Sequence, residues 1–560
     1  MGCVRVLGIS GHFNSGDFVM VYTRRQPAVL IIGLLLLALG WAVSTGQMDG
    51  FLKSIGADKM KGEMSYLPYV FGVLGLMIGA WQMTGPHKPG SFDYFTSAIG
   101  GGLFVLLVAM IVRWFADPMV ATMSKAAGPV FGGKYIHDVF GLNYVVLGIL
   151  AGILIVNVTG IPSWAQNGVR LSRLGLKTGV ILLGTLYFLQ EILHLGTASF
   201  TLIGIFVLGS VGLVLLMARM MHVPNSMGGV LSAGVGVCGV SASVAAAPVV
   251  QAKSAEIAYT IGTILLWGVG CMFLFPTVGK LLGLGHAEFG AWAGTGILNS
   301  AQVAGAALAY QPDGIETLKV AEIFNITRIL FLPLIVVWLA VWYVKRETSV
   351  AAGATGAGAM AVEPQRVDVT KVIIDKFPLF VIGFILMFLL NLTGIFLPKG
   401  VTADQLWKGK YFDANVKAEK LLKDKDLALL KTDLAKVQRA DHKKAMEALI
   451  ANKKVASMAD YHALEGLAQS GVLSKDAKKA VSEAGKAVLH TPKIVGWFRD
   501  WIVWLFAFGL TGLGMQITIA SLKQAGGEPL IIGGVVGTIK AIGSLVFILL
   551  FAGMLGLQTL

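Results

Sequence analysis

Eleven separate stretches of this chain are each apolar over about the length of a membrane span. They lie at 28–46, 67–85, 97–116, 140–160, 173–190, 199–217, 256–277, 318–343, 373–395, 496–519 and 529–556. Crossing the hydrocarbon takes about 20 apolar residues in a helix. Lipid offers backbone amides no partner, so a chain of this kind is confined to packed helices and to loops buried among them. A mean hydropathy of +0.74, with 55% hydrophobic and 14% charged residues, rules out a soluble core for 560 residues. No A-x-A-like cleavage site follows the first stretch and more spans come after it, so it reads as a span and not as a signal peptide. Residues 1–26 are expected to be a cytoplasmic tail, within which Met20 would serve equally well as a start.

Two further apolar stretches, 226–252 and 287–312, are interrupted by small and polar residues. The first contains "GVGVCGVSASVAAAPV" at 234–249, three glycines, a cysteine, two serines and a proline in sixteen residues. Such backbone persists at membrane depth only when buried in protein or lining a wet cavity. Glycine tolerates positive φ and valine resists continuing a helix, so "GVGVCGV" predicts a break, with Ser241 or Ser243 as N-cap of an Ala-rich half-helix. "GTGIL" predicts a second break, after which Asn299 or Ser300 caps and "AQVAGAALAY" continues. Two helix N-termini would then meet near the midplane, each with free N–H groups and a positive dipole end, as an anion site made of backbone. The bland alternative for 234–249 is tight helix packing through small residues.

Internal similarity supports a duplicated bundle. "SASVAAA" (241–247) and "SAQVAGA" (300–306) share the same pattern, and Gly179, Leu183, Gly184, Gly196 and Gly204 match Gly509, Leu513, Gly514, Gly526 and Gly534 at an offset of 330. Span parity makes the segments at 173–190 and 496–519 run in opposite directions, the pattern of inverted-repeat transporters. The interrupted pair would be inverted only if both are re-entrant, since one span separates them.

Charge follows topology. The formal net charge is +14. Between 399 and 493 there are 19 Lys/Arg and 12 Asp/Glu, an excess of 7, half of the total. Arg24 and Arg25, Arg170 and Arg173, and Arg219 fall in short loops on one side, as the positive-inside bias requires when the N-terminus is cytoplasmic, so no nucleic acid is needed to explain them. Residues 345–370 read as a Gly/Ala/Thr cytoplasmic linker. In 399–493, Leu421, Leu422, Leu429, Leu430, Leu434 and Val437 recur at helical spacing among alternating charges, which predicts a small outer helical domain or, more blandly, a solvated spacer. Cys3, Cys238 and Cys271 offer neither a disulfide framework nor a metal cluster.

The span 318–343 carries Lys319, Glu322, Asn325 and Arg328 three apart, a polar ribbon on one helix. An intramembrane Arg usually faces a cavity or a partner, so Arg328 is a candidate anion ligand, while Glu322 pairs with Lys319 or carries a coupling proton. Lys177 and Lys540 are lone cations in their spans, read either as snorkelling or structural groups or, for Lys540 near mid-span, as part of a polar pathway. Other motifs fail on context. Gly234, Gly236 and Gly239 match G-x-G-x-x-G without a soluble βαβ unit, and "GPVFGGKY" (128–135) lacks the P-loop Ser/Thr. Neither H-E-x-x-H nor G-x-S-x-G occurs, so no enzyme is expected.

Three segments carry a resemblance: "GVCGVSASVAAAPVVQAKSAEIAYTIGTILL", "FGAWAGTGILNSAQVAGAAL" and "NITRILFLPLIV". In these the chain resembles the sulfate-exporter family of YeiH-like membrane proteins, over 97–345, 373–395 and 496–556. The resemblance implies a place among the bile-acid-symporter and cation–proton-antiporter folds, with inverted repeats and crossed discontinuous elements. It puts Cys238, Gly239, Ser241, Ala242, Gln302, Val303, Thr327 and Arg328 at family motif positions. Where that family shows a His and an acid before "AQV", this chain has Leu298 and Asn299, which speaks against the family's proton coupling or for another substrate. The spans before 97 and the segment 399–493 exceed the family's usual length.

The resulting expectation is an all-α polytopic membrane protein with an inverted-repeat transporter fold, about eleven spans and two discontinuous elements, broken or re-entrant. Its domains are a tail (1–26), extra spans (27–96), a first core part (97–345), a linker (346–372), a span (373–398), an inserted extracytoplasmic domain (399–493) and a last core part (494–560). The expected function is alternating-access transport of sulfate or an organic sulfonate in a bacterial inner membrane. Alternatives are a cation- or proton-coupled carrier of a small organic acid, an anion channel, and a sensor or scaffold binding a partner through 399–493. The substrate site is expected at Cys238, Gly239, Ser241, Ser243, Asn299, Ser300, Gln302 and Arg328, with Glu322, Asn325 and Lys540 on a polar pathway. No cofactor, metal or nucleic acid is expected. Open alternatives are H+ or Na+ as coupling ion, and a monomer or a homo-oligomer.

Overall fold

The computed structural model describes residues 27–84, 91–130, 135–187, 189–312, 314–353, 378–402, 405–407, 410–469, 472–551, 553–555 and 557. The expected tail 1–26, most of the linker 346–372 and the core of "GPVFGGKY" lie outside them, while residues 346–353 continue a helix. The chain divides into two compact units: one comprises residues up to Ile181, Leu193–Gly383 and Val503–Leu560, the other Leu182–Ile192 and Phe384–Ile502.

In the first unit, α1 (Ala28–Ser44) bends by 92° into α2 (Asp49–Ile55), and α3 (Lys61–Thr84) packs on α1. The approach is close: a Cβ on Gly33 would lie 2.7 Å from the Leu76 nitrogen, so these helices touch through glycine. After α4 (Ser91–Ile111) and its continuation through a π-turn into Asp117–Ala126 come α5 (Tyr144–Val158), α6 (Gln166–Leu183) and α7 (Leu189–Met220). Seven helices, or eight if the bent pair counts as one, are long and apolar enough to cross a membrane, judged by length and composition among the described residues. A helix lies at each of the eleven predicted places, but several are short: α5 has 15 residues and Leu379–Leu392 has 14. Large apolar side chains such as Leu154, Phe200, Leu274 and Ile542 are exposed on these helices, as suits lipid rather than water.

The two interrupted stretches are helical hairpins. α8 (Asn225–Gly236) breaks at Val237–Gly239 and the chain turns back as α9 (Val240–Ala246). The Ser243 hydroxyl reaches the carbonyls of Gly239 (3.2 Å) and Val230 (3.4 Å). Gly229 lies against Val250. Both contacts require the arms to run side by side. The long α10 (Ser254–Leu282) then leads to α11 (His286–Gly296), a break at Ile297–Asn299, and α12 (Ser300–Tyr310). The Phe289 and Tyr310 rings stack 3.8 Å apart and the Tyr310 hydroxyl donates to the Leu284 carbonyl, so the end of α12 returns beside the start of α11. The first hairpin opens at the Ser254 end of α10 and the second at its Leu282 end. They enter from opposite ends and meet tip to tip. A Cβ on Gly239 would lie 2.9 Å from the Asn299 Cα. α13 (Glu316–Leu330) continues almost directly into α14 (Leu332–Gly353) and lies along α11, through Gly290 against Val320 and Gly294 against Phe324.

In the second unit, residues 406–490 depart from a purely helical domain. α15 (Asp424–Leu434), α16 (Ala440–Asn452), α17 (Met458–Gln469) and α18 (Lys475–Val488) share a core of Leu430, Met446, Leu449, Leu464, Leu467 and Val488. A three-stranded antiparallel sheet accompanies them, β1 (Leu406–Trp407), β2 (Lys410–Phe412) and β3 (Leu489–His490), in that order, with Tyr411 paired to His490. The helical-period pattern could not reveal it, because two- and three-residue strands carry no periodic signal. The core also answers the spacer reading, since a solvated spacer has no buried interior. Next, α19 (Lys493–Gly514) carries the chain back into the first unit, which also contains α20 (Gly527–Phe551).

Candidate functional site

Four helix ends converge where the hairpin tips touch. At the first tip the backbone break rests on Gly239, whose φ of +81° and ψ of −126° side chains do not tolerate. At the second tip Ile297 and Asn299 are extended, with φ of −76° and −104°. The serines do not cap as predicted. Gly239 and Asn299 occupy the N-cap positions of α9 and α12, and neither side chain makes a cap bond. Ser243 is buried and bonds back to backbone carbonyls, as serine readily does within a helix. Ser241 is exposed, and Ser300 is half-buried with its hydroxyl 3.4 Å from Arg328 Nη2. At the start of α9 the Cys238 sulfur sits against the Ala242 N–H, whereas the N–H groups that open α12 have no side-chain cap.

The two C-terminal helix ends, by contrast, each meet a cation. Lys540, on α20 and only 1% exposed, donates from Nζ to the carbonyls of Val235 (3.0 Å) and Gly236 (2.9 Å), the last residues of α8. Arg328, on α13 and fully buried, donates from Nη1 to the Ile297 carbonyl at the end of α11. Its Nη2 donates to Asn325 Oδ1 at 3.0 Å, and Asn325 Nδ2 in turn donates to Glu322 Oε2 at 3.0 Å. Arg328 and Lys540 act electrostatically on each other and on Cys238, a buried free thiol beside the first tip. Glu322 thus bonds Asn325, while Lys319, one turn earlier, is half-exposed. Of the readings open for Lys540, snorkelling is excluded, because its ammonium is turned inward onto carbonyls, while Lys177 is exposed.

Gln302 completes the arrangement. It is fully buried one turn into α12, and neither its Nε2 nor its Oε1 has a hydrogen-bond partner. Its carboxamide lies against Gly268 of α10, where any side chain would displace it. A buried amide left unpaired costs about 1–3 kcal/mol, so this position favours something that bonds it. Sequence reasoning missed α10 as the element between the tips: Ile264 packs on Gly234 and Gly239, and Gly268 on Gln302. Gly262 and Gly268, in a span otherwise rich in bulky residues, were the available signal. A separate cavity of about 390 Å³ lies among Leu266, Trp267, Cys271, Trp292 and Ala541. Its lining is apolar, and none of the expected site residues contributes to it.

Electrostatically, each helix C-terminus carries about half a negative charge and each N-terminus about half a positive one. Both negative ends are met by a basic side chain, and of the positive ends α12 opens without a side-chain cap while the seven-residue α9 has the Cys238 sulfur against its Ala242 N–H. The buried carboxylate near the tips is Glu322. Two basic side chains and one carboxylate are thus buried together at the tips. Among the described residues no group of His, Cys, Asp or Glu could hold a metal ion.

The family model described as Conserved hypothetical protein 698 matches residues 104–406. The chain is similar to a UPF0324 membrane protein of Nitratidesulfovibrio vulgaris, 31% identical over 457 residues, which cover 80% of this chain and 94% of the relative. A second UPF0324 membrane protein of that organism is 34% identical over 301 residues, covering 54% of this chain and 77% of its own. One from Fusobacterium nucleatum is 31% identical over 226 residues, 40% of this chain and 61% of the relative. No solved structure matches the chain.

Proposed function

The chain belongs to the family of UPF0324 membrane proteins, also described as conserved hypothetical protein 698, and from that premise we propose that it is a secondary active transporter of a small anion rather than an enzyme. The observation that carries this reading is the pair of buried basic side chains, Arg328 and Lys540, at the meeting point of two helical hairpins, with the uncapped N-terminus of α12 beside them. Dipole ends alone hold an anion weakly. Arg328 and Lys540 are buried together at the tips, and a substrate anion supplies a counter-charge there. Sulfate or an organic sulfonate fits the donors available, namely the N–H groups that open α12, the Gln302 amide and Arg328 Nε, which has no partner.

Alternating access through an inverted-repeat architecture of about eleven spans is part of the same proposal. The hairpins enter from opposite ends, which supports it. So do α6 and α19, which carry the matched Gly179 and Gly509 and run antiparallel, with Ser172 against Gly512 and Gly179 against Phe506. We place the protein in a bacterial inner membrane with its N-terminus cytoplasmic. Arg219, Lys253, Lys345 and Lys523 gather at the end where the first hairpin opens, as the positive-inside bias favours for the cytoplasmic side.

The test is a thermal-shift screen of the purified protein against sulfate, sulfonates, phosphate and carboxylates, followed by counterflow in proteoliposomes. A transporter gives saturable stabilisation by one anion class and trans-stimulated exchange. Stabilisation by none of them sinks the anion reading, and flux without counterflow favours a channel.

A further inference from the structure

Glu322 is held to Arg328 through a single carboxamide. The Asn325 amide gives its N–H to Glu322 Oε2 and its carbonyl to Arg328 Nη2, both at 3.0 Å, and all three side chains are buried. Arg328 is the charged group acting on Glu322. Cys238 of the first tip and Lys540 of α20 act on Arg328 in turn. The remaining titratable groups on α13 and on elements packed against it stand towards the ends. His286 lies beside Thr317 at the mouth of the second hairpin, with Glu288, Tyr310 and Glu316 near it. Lys319 is half-exposed one turn before Glu322, Glu191 and Arg219 lie near the two ends of α7, and Tyr343, Lys345, Arg346 and Glu347 are at the far end of α14.

The same guanidinium therefore serves the carboxylate and, in the anion site proposed above, the substrate. An anion at the tips places a second negative charge close to Glu322 and draws Arg328 towards itself, and two buried anions sharing one compensating cation disfavour each other. We propose that Glu322 couples transport to protons: it takes up one proton from water as the anion binds and returns it when the anion leaves, so that anion and proton cross together. Asn325 is the positioning residue that lets the carboxyl sense the state of Arg328. This rests on the anion reading of the site, and it assigns the coupling to a residue outside the hairpin tips.

The experiment measures protons and anion together on the purified full chain. Sulfate is titrated by calorimetry in two buffers of different ionisation enthalpy, across a pH series. The expected result is uptake of about one proton per sulfate bound, with affinity falling up to about tenfold per pH unit as pH rises through the titration of Glu322. Glu322→Gln is expected to bind sulfate with an affinity that no longer changes with pH and with no proton uptake. Asn325→Leu is expected to bind sulfate with a displaced pH profile. Sulfate binding by the unaltered protein without proton uptake overturns the proposal with no variant required, as does uptake that persists in Glu322→Gln. If neither sulfate nor any anion of the thermal-shift panel binds, the anion site itself is refuted and the coupling falls with it; binding without protons refutes the coupling alone.

Discussion

At the scale of single residues, Arg328 differs from an ordinary buried cation because its hydrogen bonds go to a helix end, an amide and a hydroxyl, not to a carboxylate. No carboxylate touches it directly, and Glu322 acts on it from the far side of the Asn325 amide. Losing a charge-assisted hydrogen bond costs about 1.5–3 kcal/mol, or about ten- to a hundredfold in affinity. Arg328→Gln should weaken anion binding by that factor, measured as the shift in half-saturation in a thermal titration. Arg328→Lys should recover part of it, because the charge returns without the fork. Equal binding by all three proteins would make Arg328 purely structural. Gly239 is the backbone counterpart. Alanine there must adopt φ of +81° with its Cβ 2.9 Å from the Asn299 Cα. Strain of about 1–3 kcal/mol is expected, seen as a lower melting temperature together with loss of anion stabilisation. A Gly239→Ala protein that melts unchanged would mean that the tips separate freely.

At the scale of elements, the hairpins are held by what caps their inward ends. Lys540 satisfies Val235 and Gly236, two of the terminal carbonyls that every helix leaves open. Lys540→Met keeps an unbranched side chain one atom shorter and strands both carbonyls, at about 1–3 kcal/mol for each buried group. The expected outcome is faster hydrogen exchange in α8 than in α5, and exchange unchanged in α8 would show that other groups replace the ammonium. In the second unit, Asp433 does comparable work. Its carboxylate is nearly buried, accepts from Lys436 Nζ at 2.5 Å and from the Ser474 nitrogen at 2.8 Å, and so ties α15 to the start of α18. These hydrogen bonds hold its pKa down at about 2, below the ordinary 3.8. A carboxyl depressed on folding contributes stability above its unfolded value and loses it as pH falls through the folded one. Protection of the Ser474 amide against exchange should therefore persist at pH 4 and decline towards pH 2, and Asp433→Asn should show weaker protection with no such decline.

At the scale of the whole molecule, the proposed orientation makes a separate statement. If the N-terminus is cytoplasmic, span parity places 399–493 outside. A cysteine substituted for Lys443, in a chain with the native cysteines replaced, should react with a membrane-impermeant maleimide applied to the outer face of spheroplasts. Labelling only after the inner face is opened would reverse the assignment.

Much was legible in the sequence because membrane burial acts locally. About 20 apolar residues in a row announce a helix whatever surrounds them, and glycine-valine runs that lipid cannot satisfy announce a break. The two breaks, the residues Gly239 and Asn299 at them, and the burial of Arg328, Glu322 and Gln302 could all be read in that way. The direction of the chain after each break could not. A helix that continues and one that turns back have the same composition, and only contacts such as Tyr310 to Leu284 and Ser243 to Val230 distinguish them. The partners of the two cations were equally hidden: Lys540 meets Val235 and Gly236 across 304 and more residues of chain, and no periodicity links positions that far apart. Local hydrophobicity determined where this protein is helical and where it must break, whereas the pairing of charges with helix ends was decided by tertiary packing, because a dipole end becomes a binding element only when folding brings another element's charge against it.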